Sequence, residues 1–548
     1  MYVKGIPIFI LSKLKVSYFL LLFLITLIYI SFSTTNIYFN ALAGADNFKY
    51  FQNILFIYQE STTTYNNQGL LYYFFVALLL SLRTSSFNYN QDINTIFNAD
   101  SVLLSETILL TNLIIFIFGL VGFYYLMKNL NVSKNKSLVI LNIMVCFPSL
   151  YYLRLNMKPE ILAFALIPWI FYFFESFIIS KRNILLINIS ILLSILLLSK
   201  GSVAAMVLAC LFTRYIVNYK SFTFKQISIG VGTLLISLSL ITIENNILGI
   251  GNLLERQPEP NYNFKAPSNI IYNLDYERLL KDPKKNYHKD SLIAITLIDL
   301  TGDYFELNWK EDSVLFSKNI KPLIISKDKE LQNDYLKLFN LDTELKNIVY
   351  TGPGPDYTKY YLGYLNLLLS IFFIFLTFKY FFKENIVNKA YLIFPFIGIF
   401  VLLINTIFGF PQNNFDPSIG DTYKVFYYSF LIPFSIIVVL KNINFKNFKN
   451  IIFVLVFLLF TFINLGFPKS NNEKLDLEIK ESIENTIFCE LNKNIVENSF
   501  ITKTKVQCID QNVFGPIKTD LKKVPFFSLF LLILSSALSF ISLKKNEK

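Results

Sequence analysis

The sequence predicts an all-α polytopic membrane protein, a bundle of about twelve transmembrane helices. Hydrophobic residues make up 54% of the chain and aromatic residues 17%, more apolar surface than a soluble protein of this length can hide. These residues form long uninterrupted runs, many near the length of about 18–20 residues that crosses a bilayer core of about 30 Å. Basic residues lie in the short loops between the runs, as the positive-inside rule predicts.

The first apolar run, 16–33, follows several lysines and lacks a small-residue cleavage site, so we expect a retained helix and not a removed signal peptide. Twelve later apolar runs are further candidate spans. These runs are 70–82, 102–127, 137–152, 160–180, 183–199, 201–218, 225–243, 360–382, 390–409, 425–440, 450–467 and 525–543.

The run 70–82 is too short to span comfortably, because at about 1.5 Å per residue it reaches only about 20 Å. Its Tyr72 and Tyr73 and the flanking Arg83 favour a helix that lies at the membrane interface. If this run does not cross and the N-terminus is cytoplasmic, the basic loops fall on the cytoplasmic side. Those loops are 128–136, 181–182, 214–225, 379–389, 441–449 and the tail 544–548. We therefore predict twelve spans with both termini in the cytoplasm.

This topology divides the chain into membrane modules and outer loops. The predicted units are an N-terminal transmembrane module 1–243 with a first outer loop 34–101, a long outer loop 244–359, a second transmembrane module 360–467, a small outer domain 468–524, and a last helix with its tail 525–548.

The net charge of +12 does not indicate nucleic-acid binding, because the excess follows the loops of a membrane protein. The only histidine is His288, which excludes a multi-histidine metal site. Cys489 and Cys508 lie in one polar outer segment and are the candidates for a disulfide if that segment faces an oxidising compartment.

Ionisable residues at the outer membrane edge are the first candidates for chemistry. Asp46 follows the first span and precedes a predicted amphipathic helix, so it is either a general base or the cap of that helix. Arg154, Lys158 and Glu160 stand together before another span. Two cations and a carboxylate suit a phosphate-bearing substrate, but Pro159 in a first turn with Glu160 beside it also describes an ordinary helix start.

Further candidates lie between spans or in the outer loops. Lys200 lies between two apolar runs. It is either a ligand of the substrate phosphate or a snorkelling lysine, whose ammonium extends to the membrane surface. Tyr423 and Lys424 precede a tyrosine-rich span, where tyrosines also form interface belts. Asp303 and Tyr304 combine a carboxylate with an aromatic ring, which suits a sugar, although for this segment taken alone an ordinary packed loop core is the favoured explanation.

Taken in their order along the chain, these motifs resemble those of the C-type (GT-C) membrane glycosyltransferases. The resemblance is strongest to the protein O-mannosyltransferases and to the aminoarabinose transferase that modifies lipid A. That family has an outer Asp, often followed by Glu, with a Tyr four residues on. Asp46 and Tyr50 match this pattern, whereas Asn47 replaces the Glu. The other matching stretches are Gly69-Leu70-Leu71-Tyr72-Tyr73, the acidic position at Glu160, Ser199-Lys200-Gly201, and the segment from Tyr423 to Pro433.

The resemblance covers roughly residues 1–220 well and 400–440 loosely. It implies a plasma (inner) membrane enzyme that transfers a sugar from a polyprenyl-phosphate donor to an extracytoplasmic glycan, lipid or protein, with inversion. Asp46 would be the base, and Arg154, Lys158, Lys200 and Lys424 would contact the donor phosphate. Tyr50, Asp303, Tyr304 and Tyr423 would lie on the acceptor or sugar side. A divalent metal such as Mg or Mn is compatible with this class but is not demanded by the sequence.

Two other classes are weighed against the transferase. An O-antigen polymerase or ligase is also a many-span enzyme, but it relies on Arg-rich outer loops, and the long loop here contains only Arg256 and Arg278. A transporter or flippase of lipid-linked glycans favours ionisable groups deep in the spans, and here Glu175 is the deepest, near the inner end of its span. A membrane scaffold without catalysis is the remaining alternative.

Overall fold

A computed structural model of the chain describes residues 16–33, 54, 70–83, 93–155, 160–247, 276–281, 294, 296–297, 361–383, 394, 397–398, 400 and 429–443. All regular secondary structure within these residues is helical, as predicted. The predicted spans 450–467 and 525–543 lie outside them, as does most of 390–409.

Between residues 93 and 247 the helices follow one another with short connections. The described helices are α1 (Val16–Ser33), α2 (Leu70–Arg83), α3 (Ile93–Asn129), α4 (Lys134–Cys146), α5 (Pro148–Leu155), α6 (Glu160–Ser180), α7 (Asn183–Ser199), α8 (Gly201–Val217), α9 (Phe224–Ile247), α10 (Tyr276–Lys281), α11 (Tyr361–Phe381) and α12 (Ile432–Asn442). Short 3₁₀ helices occupy Tyr219–Ser221 and Ser429–Leu431.

By length and composition, two helices within the described residues are long and apolar enough to cross a membrane. They are Thr107–Asn129, which is the C-terminal part of α3, and Glu160–Ser180, which is α6. Shorter apolar helical segments accompany them at Ser17–Tyr29, Asn183–Leu197, Gly201–Val217, Phe224–Ile236, Ser370–Phe381 and Ser429–Asn442.

The apolar runs predict helix bounds well, but they miss one break that lies inside a run. The runs 160–180 and 183–199 are helices with the same bounds, α6 and α7. The run 137–152 is wrong as a single helix, because the chain breaks at Phe147, whose backbone is extended (φ −67°, ψ 123°). Pro148 causes the break, since it has no N–H to donate and restricts the residue before it to an extended conformation.

Helix α6 lies at the centre of the bundle. It packs along α3 on one side and against α7 on another, and α9 packs against α7 in turn. Only residues 181–182 connect α6 to α7, and Lys200 alone connects α7 to α8. Each connection reverses the chain, so α6 and α8 run in the same direction and both begin at the same end of the bundle.

Helices α3 and α6 approach closely at two glycines. A Cβ added at Gly119 would lie 2.7 Å from the Phe164 ring and 3.0 Å from the Ala165 Cα. A Cβ added at Gly122 would lie 2.8 Å from the Trp169 Nε1. Small residues that admit a neighbouring backbone are the usual basis of helix packing in membranes, where the lipid is as apolar as the helix surfaces.

The tyrosine pair of α2 is buried against other helices of the described bundle. Tyr72 and Tyr73 are 0% and 2% exposed, inside the bundle. The other end of α2 is tied to α3, because the Arg83 guanidinium donates a hydrogen bond to the Thr107 hydroxyl over 3.0 Å. Helix α2 is therefore a part of the packed bundle.

The substitution Gly119→Ala tests the contact between α3 and α6. We expect it to destabilise the protein by about 1–3 kcal/mol, because the new methyl group overlaps the Phe164 ring and the Ala165 backbone. The matched control is Gly232→Ala in α9, where an added Cβ meets no described atom within 4 Å. That variant should match wild type or gain up to about 1 kcal/mol from helix propensity. Unfolding midpoints in detergent measure both, and equal midpoints would contradict the close packing.

Candidate functional site

Glu160 and Lys200 form a buried ion pair where α6 and α8 both begin. The Lys200 Nζ donates a hydrogen bond to the Glu160 Oε1, and the two side chains are 8% and 2% exposed. Glu160 is the first residue of α6, and Lys200 is the single residue that links α7 to α8. Local sequence thus places each charge at the end of a helix, and the chain reversal through α7 brings the two together.

A chain of hydrogen bonds lies beside this pair. The Tyr72 hydroxyl donates to the Asn112 Oδ1 over 2.8 Å. The Asn112 Nδ2 then donates to the backbone carbonyl of Arg154 over 2.6 Å. Burial raises the pKa of the Tyr72 phenol above its usual range and the nearby Glu160 carboxylate acts in the same direction, against the opposing effect of the bond to Asn112. The phenol therefore stays protonated and acts as a donor. The chain of bonds connects α2, α3 and α5.

The guanidinium of Arg154 points into the bundle. Arg154 is 0% exposed, and its Nη1 donates to the Val145 carbonyl at the end of α4 over 2.8 Å. Its Cζ lies 4.6 Å from the centre of the Phe116 ring, a cation–π contact. In this position Arg154 satisfies a carbonyl at the helix break before Pro148.

A second ion pair joins α6 and α8 near their other ends. The Arg214 Nε donates to the Glu175 Oε1 over 2.8 Å, and its Nη2 donates to the Glu175 Oε2 over 3.2 Å. Glu175 follows Glu160 by about 22 Å along the helix, at about 1.5 Å per residue. The two parallel helices are therefore held in register by one ion pair near each end.

Sequence reasoning singled out Glu160, Lys200 and Arg154, but missed Asn112 and Arg214 and the hydrogen bond of Tyr72. A weak signal was present, because Asn112 and Arg214 are polar residues within predicted spans, and such residues usually have a partner or a function. Their partners could not be identified from the sequence, since each lies about 40 positions away.

The remaining predicted site residues lie outside the described residues, and their roles stay predictions. They are Asp46, Tyr50, Lys158, Asp303, Tyr304, Tyr423 and Lys424, together with the cysteines Cys489 and Cys508. Within the described part of the chain, no three His, Cys, Asp or Glu residues are grouped so that they could hold a metal ion.

The start of α6 and the start of α8 together form an environment that favours anions. The N-terminus of a helix carries a partial positive charge and exposes backbone N–H groups. The side chain of Lys200, the N-cap residue of α8, forms no capping hydrogen bond at the start of that helix. Lys200 adds a full positive charge there, and Glu160 offsets it. Chemically, such an arrangement suits an anionic group such as a phosphate.

No protein-family model, curated protein or solved structure matches this chain. Its function is therefore inferred from the geometry of these helix ends together with the motifs of the sequence.

The ion pair between Glu175 and Arg214 is the contact on which to test the register of α6 and α8. We expect Glu175→Gln to destabilise the protein by about 3–5 kcal/mol, because it leaves the Arg214 charge buried beside a neutral amide. Replacing both residues by leucine should recover most of that loss, since no charge then remains buried. Detergent unfolding midpoints measure both variants.

The control for this pair is Glu277→Gln, which removes the same charge from an exposed position on α10. Because the interactions of an exposed carboxylate are screened by water, it should change stability by no more than about 1 kcal/mol. A cost for Glu175→Gln as small as that of the control would mean that the pair does not hold the helices together.

Proposed function

We propose that this chain is an integral membrane glycosyltransferase of the GT-C type, which moves a sugar from a polyprenyl-phosphate donor to an extracytoplasmic glycan, lipid or protein. The observation that carries the proposal is the buried pair of Glu160 and Lys200. The sequence assigned both residues to one site from their resemblance to family motifs, and they contact each other although they lie 40 positions apart.

The surroundings of this ion pair suit a polyprenyl-phosphate sugar as the donor. A polyprenyl tail remains in the bilayer along the apolar helices, while the sugar phosphate stays at their ends. Lys200 and the N-termini of α6 and α8 attract the phosphate. Because these groups are fixed and largely dry, they stabilise charge that develops on the phosphate without reorganising.

The reaction that we propose is a direct displacement at the anomeric carbon. The acceptor oxygen or nitrogen forms a bond to that carbon as its proton passes to the Asp46 carboxylate. The bond between the anomeric carbon and the phosphate oxygen breaks, and its electron pair stays on that oxygen. Polyprenyl phosphate leaves, and a single displacement inverts the anomeric centre. The assignment of Asp46 is supported by its resemblance to the outer Asp of the family.

The geometry favours Lys200 over Arg154 as the phosphate ligand. The Arg154 guanidinium already contacts the Val145 carbonyl and the Phe116 ring. We assign it the role of positioning α4 and α5. Lys158 and Lys424 complete the proposed phosphate contacts from the outer loops, and Tyr50, Asp303, Tyr304 and Tyr423 are the candidates for the acceptor or sugar side.

The proposed topology has about twelve spans, both termini in the cytoplasm, and the starts of α6 and α8 on the extracytoplasmic side. Reporter fusions in loops 128–136 and 181–182 should be active only with a cytoplasmic reporter, and a fusion in loop 244–359 only with an exported one. The opposite pattern for every loop after residue 83 would mean that 70–82 crosses the membrane and would overturn this topology.

Sugar transfer by the purified chain in nanodiscs tests the function. With a panel of polyprenyl-phosphate sugars and cell-derived acceptors, wild type should release polyprenyl phosphate. Asp46→Asn should lower the rate by about 100-fold or more, because the amide retains the size of the side chain but accepts no proton. Asp92→Asn, the same substitution elsewhere in the first predicted outer loop, is the control and should remain active.

Equal rates for wild type and Asp46→Asn would reduce Asp46 to a helix cap and overturn this mechanism. Flipping of a lipid-linked glycan by wild type, without transfer from any donor of the panel, would favour the transporter in place of the enzyme.

A further inference from the structure

Two turns of the chain meet at the end of the bundle where α6 and α8 finish. The turn 181–182 joins α6 to α7, and the turn 218–223 joins α8 to α9. The Lys181 Nζ lies 5.7 Å from the centre of the Phe177 ring and 5.7 Å from the centre of the Phe222 ring. The two rings are themselves in contact, with centroids 5.3 Å apart. The turns therefore form one continuous surface.

This surface is basic. Arg182, Lys220 and Lys225 are exposed, and none of them pairs with a carboxylate of the described residues. The one described carboxylate near this end of α6 to α9 is that of Glu175, and Arg214 binds both of its oxygens. The positive charge of the surface is thus not compensated by the part of the chain that the structure describes. We call the surface formed by the two turns the basic patch.

Exposed apolar side chains border the basic patch. Phe224 is 85% exposed, more than any other large hydrophobic side chain of the described residues, and Ile179 is 75% exposed. Tyr219 is 57% exposed, with the Lys220 Nζ 5.9 Å from the centre of its ring. Aromatic rings beside cations are typical of the boundary between lipid tails and headgroups. An acidic soluble partner would match the charges but has no need of the apolar border.

The backbone at Lys181 gives separate support. Its φ of 57° lies in the left-handed region, which glycine adopts at no steric cost and other residues adopt rarely. The Lys181 N–H donates to the Phe177 carbonyl over 2.8 Å and closes the end of α6. A glycine would form this turn with less strain, so the lysine side chain contributes more than the shape of the turn.

We propose that the basic patch binds the headgroup of an anionic glycerophospholipid in the leaflet that this end of the bundle faces, the cytoplasmic leaflet of the proposed topology. Arg182, Lys220 and Lys225 contact the headgroup phosphate, and Phe224 and Ile179 contact the adjoining part of the acyl chains. One lipid then connects both turns. The inference rests on the membrane topology proposed above and not on the sugar-transfer reaction.

Native mass spectrometry of the full chain in detergent tests the binding. Wild type should bind phosphatidylglycerol about tenfold or more tightly than phosphatidylcholine with the same acyl chains, because each cation near a headgroup favours an anionic lipid by about fivefold. Phosphatidylglycerol should also raise the unfolding midpoint of wild type, since the lipid joins two turns of the folded state. Neither comparison needs a variant.

Two triple variants separate the patch from the overall charge. Arg182→Gln with Lys220→Gln and Lys225→Gln should lower the affinity for phosphatidylglycerol by about tenfold or more and leave that for phosphatidylcholine unchanged. The three side chains are exposed, so the midpoint without lipid should stay as in wild type. The control is the listed set of exposed lysines in other predicted cytoplasmic loops, Lys134→Gln, Lys379→Gln and Lys383→Gln, which removes the same charge. It should retain the wild-type affinity within about threefold.

Equal affinity of wild type for the two lipids would overturn the inference, and so would a loss in the control variant as large as in the patch variant. Equal affinity together with tight binding of a polyglutamate peptide would assign the patch to an acidic protein segment instead. None of these results alters the expected dependence of sugar transfer on Asp46, so failure of the lipid site is distinguishable from failure of the proposed function.

Discussion

The fold depends on two charges that are kept out of water and next to each other. Removing an ion from water costs several kcal/mol, so Glu160 and Lys200 are tolerable in the bundle only while they remain in contact. This requirement fixes the start of α6 against the start of α8, and the pair of Glu175 and Arg214 fixes the other ends. Since α6 also packs along α3 and α7, the register set by these contacts extends to much of the described bundle.

Between the charged ends, packing depends on close fit and not on apolar surface alone. The stacked rings of Phe116 and Phe164, with centroids 4.7 Å apart, lie next to the glycine contact of α3 with α6. Trp169 adds a hydrogen bond from its Nε1 to the Phe118 carbonyl. Such directional contacts are needed where lipid competes equally well for apolar side chains. A rigid centre of this kind holds the helix ends, and thus the charged pair, in a fixed place.

The sequence predicted the helices better than the contacts between them. Long apolar runs bounded by charges locate α6 and α7, because the length of an apolar run and the charges at its ends are local properties. Which face of such a helix meets protein is not encoded in the same way, since lipid and the bundle interior are both apolar. Tyr72 was therefore assigned to the interface and Arg154 to a surface site, whereas both are buried. Glu160 and Lys200 were recognised as candidates from motifs, but their contact arises from the tertiary fold.

The one-residue link at Lys200 has a consequence for how the chain enters the membrane during synthesis. If α7 and α8 both span the membrane as proposed, they are too closely joined to insert independently, and they enter the bilayer as a hairpin with Lys200 at its tip. In the proposed topology this tip crosses to the outer side, which is unfavourable for a lysine. Glu160, inserted just before on α6, reaches the same side first and offers a counter-charge. The counter-charge for Lys200 is therefore in place first because α6 precedes α7 and α8 in the chain.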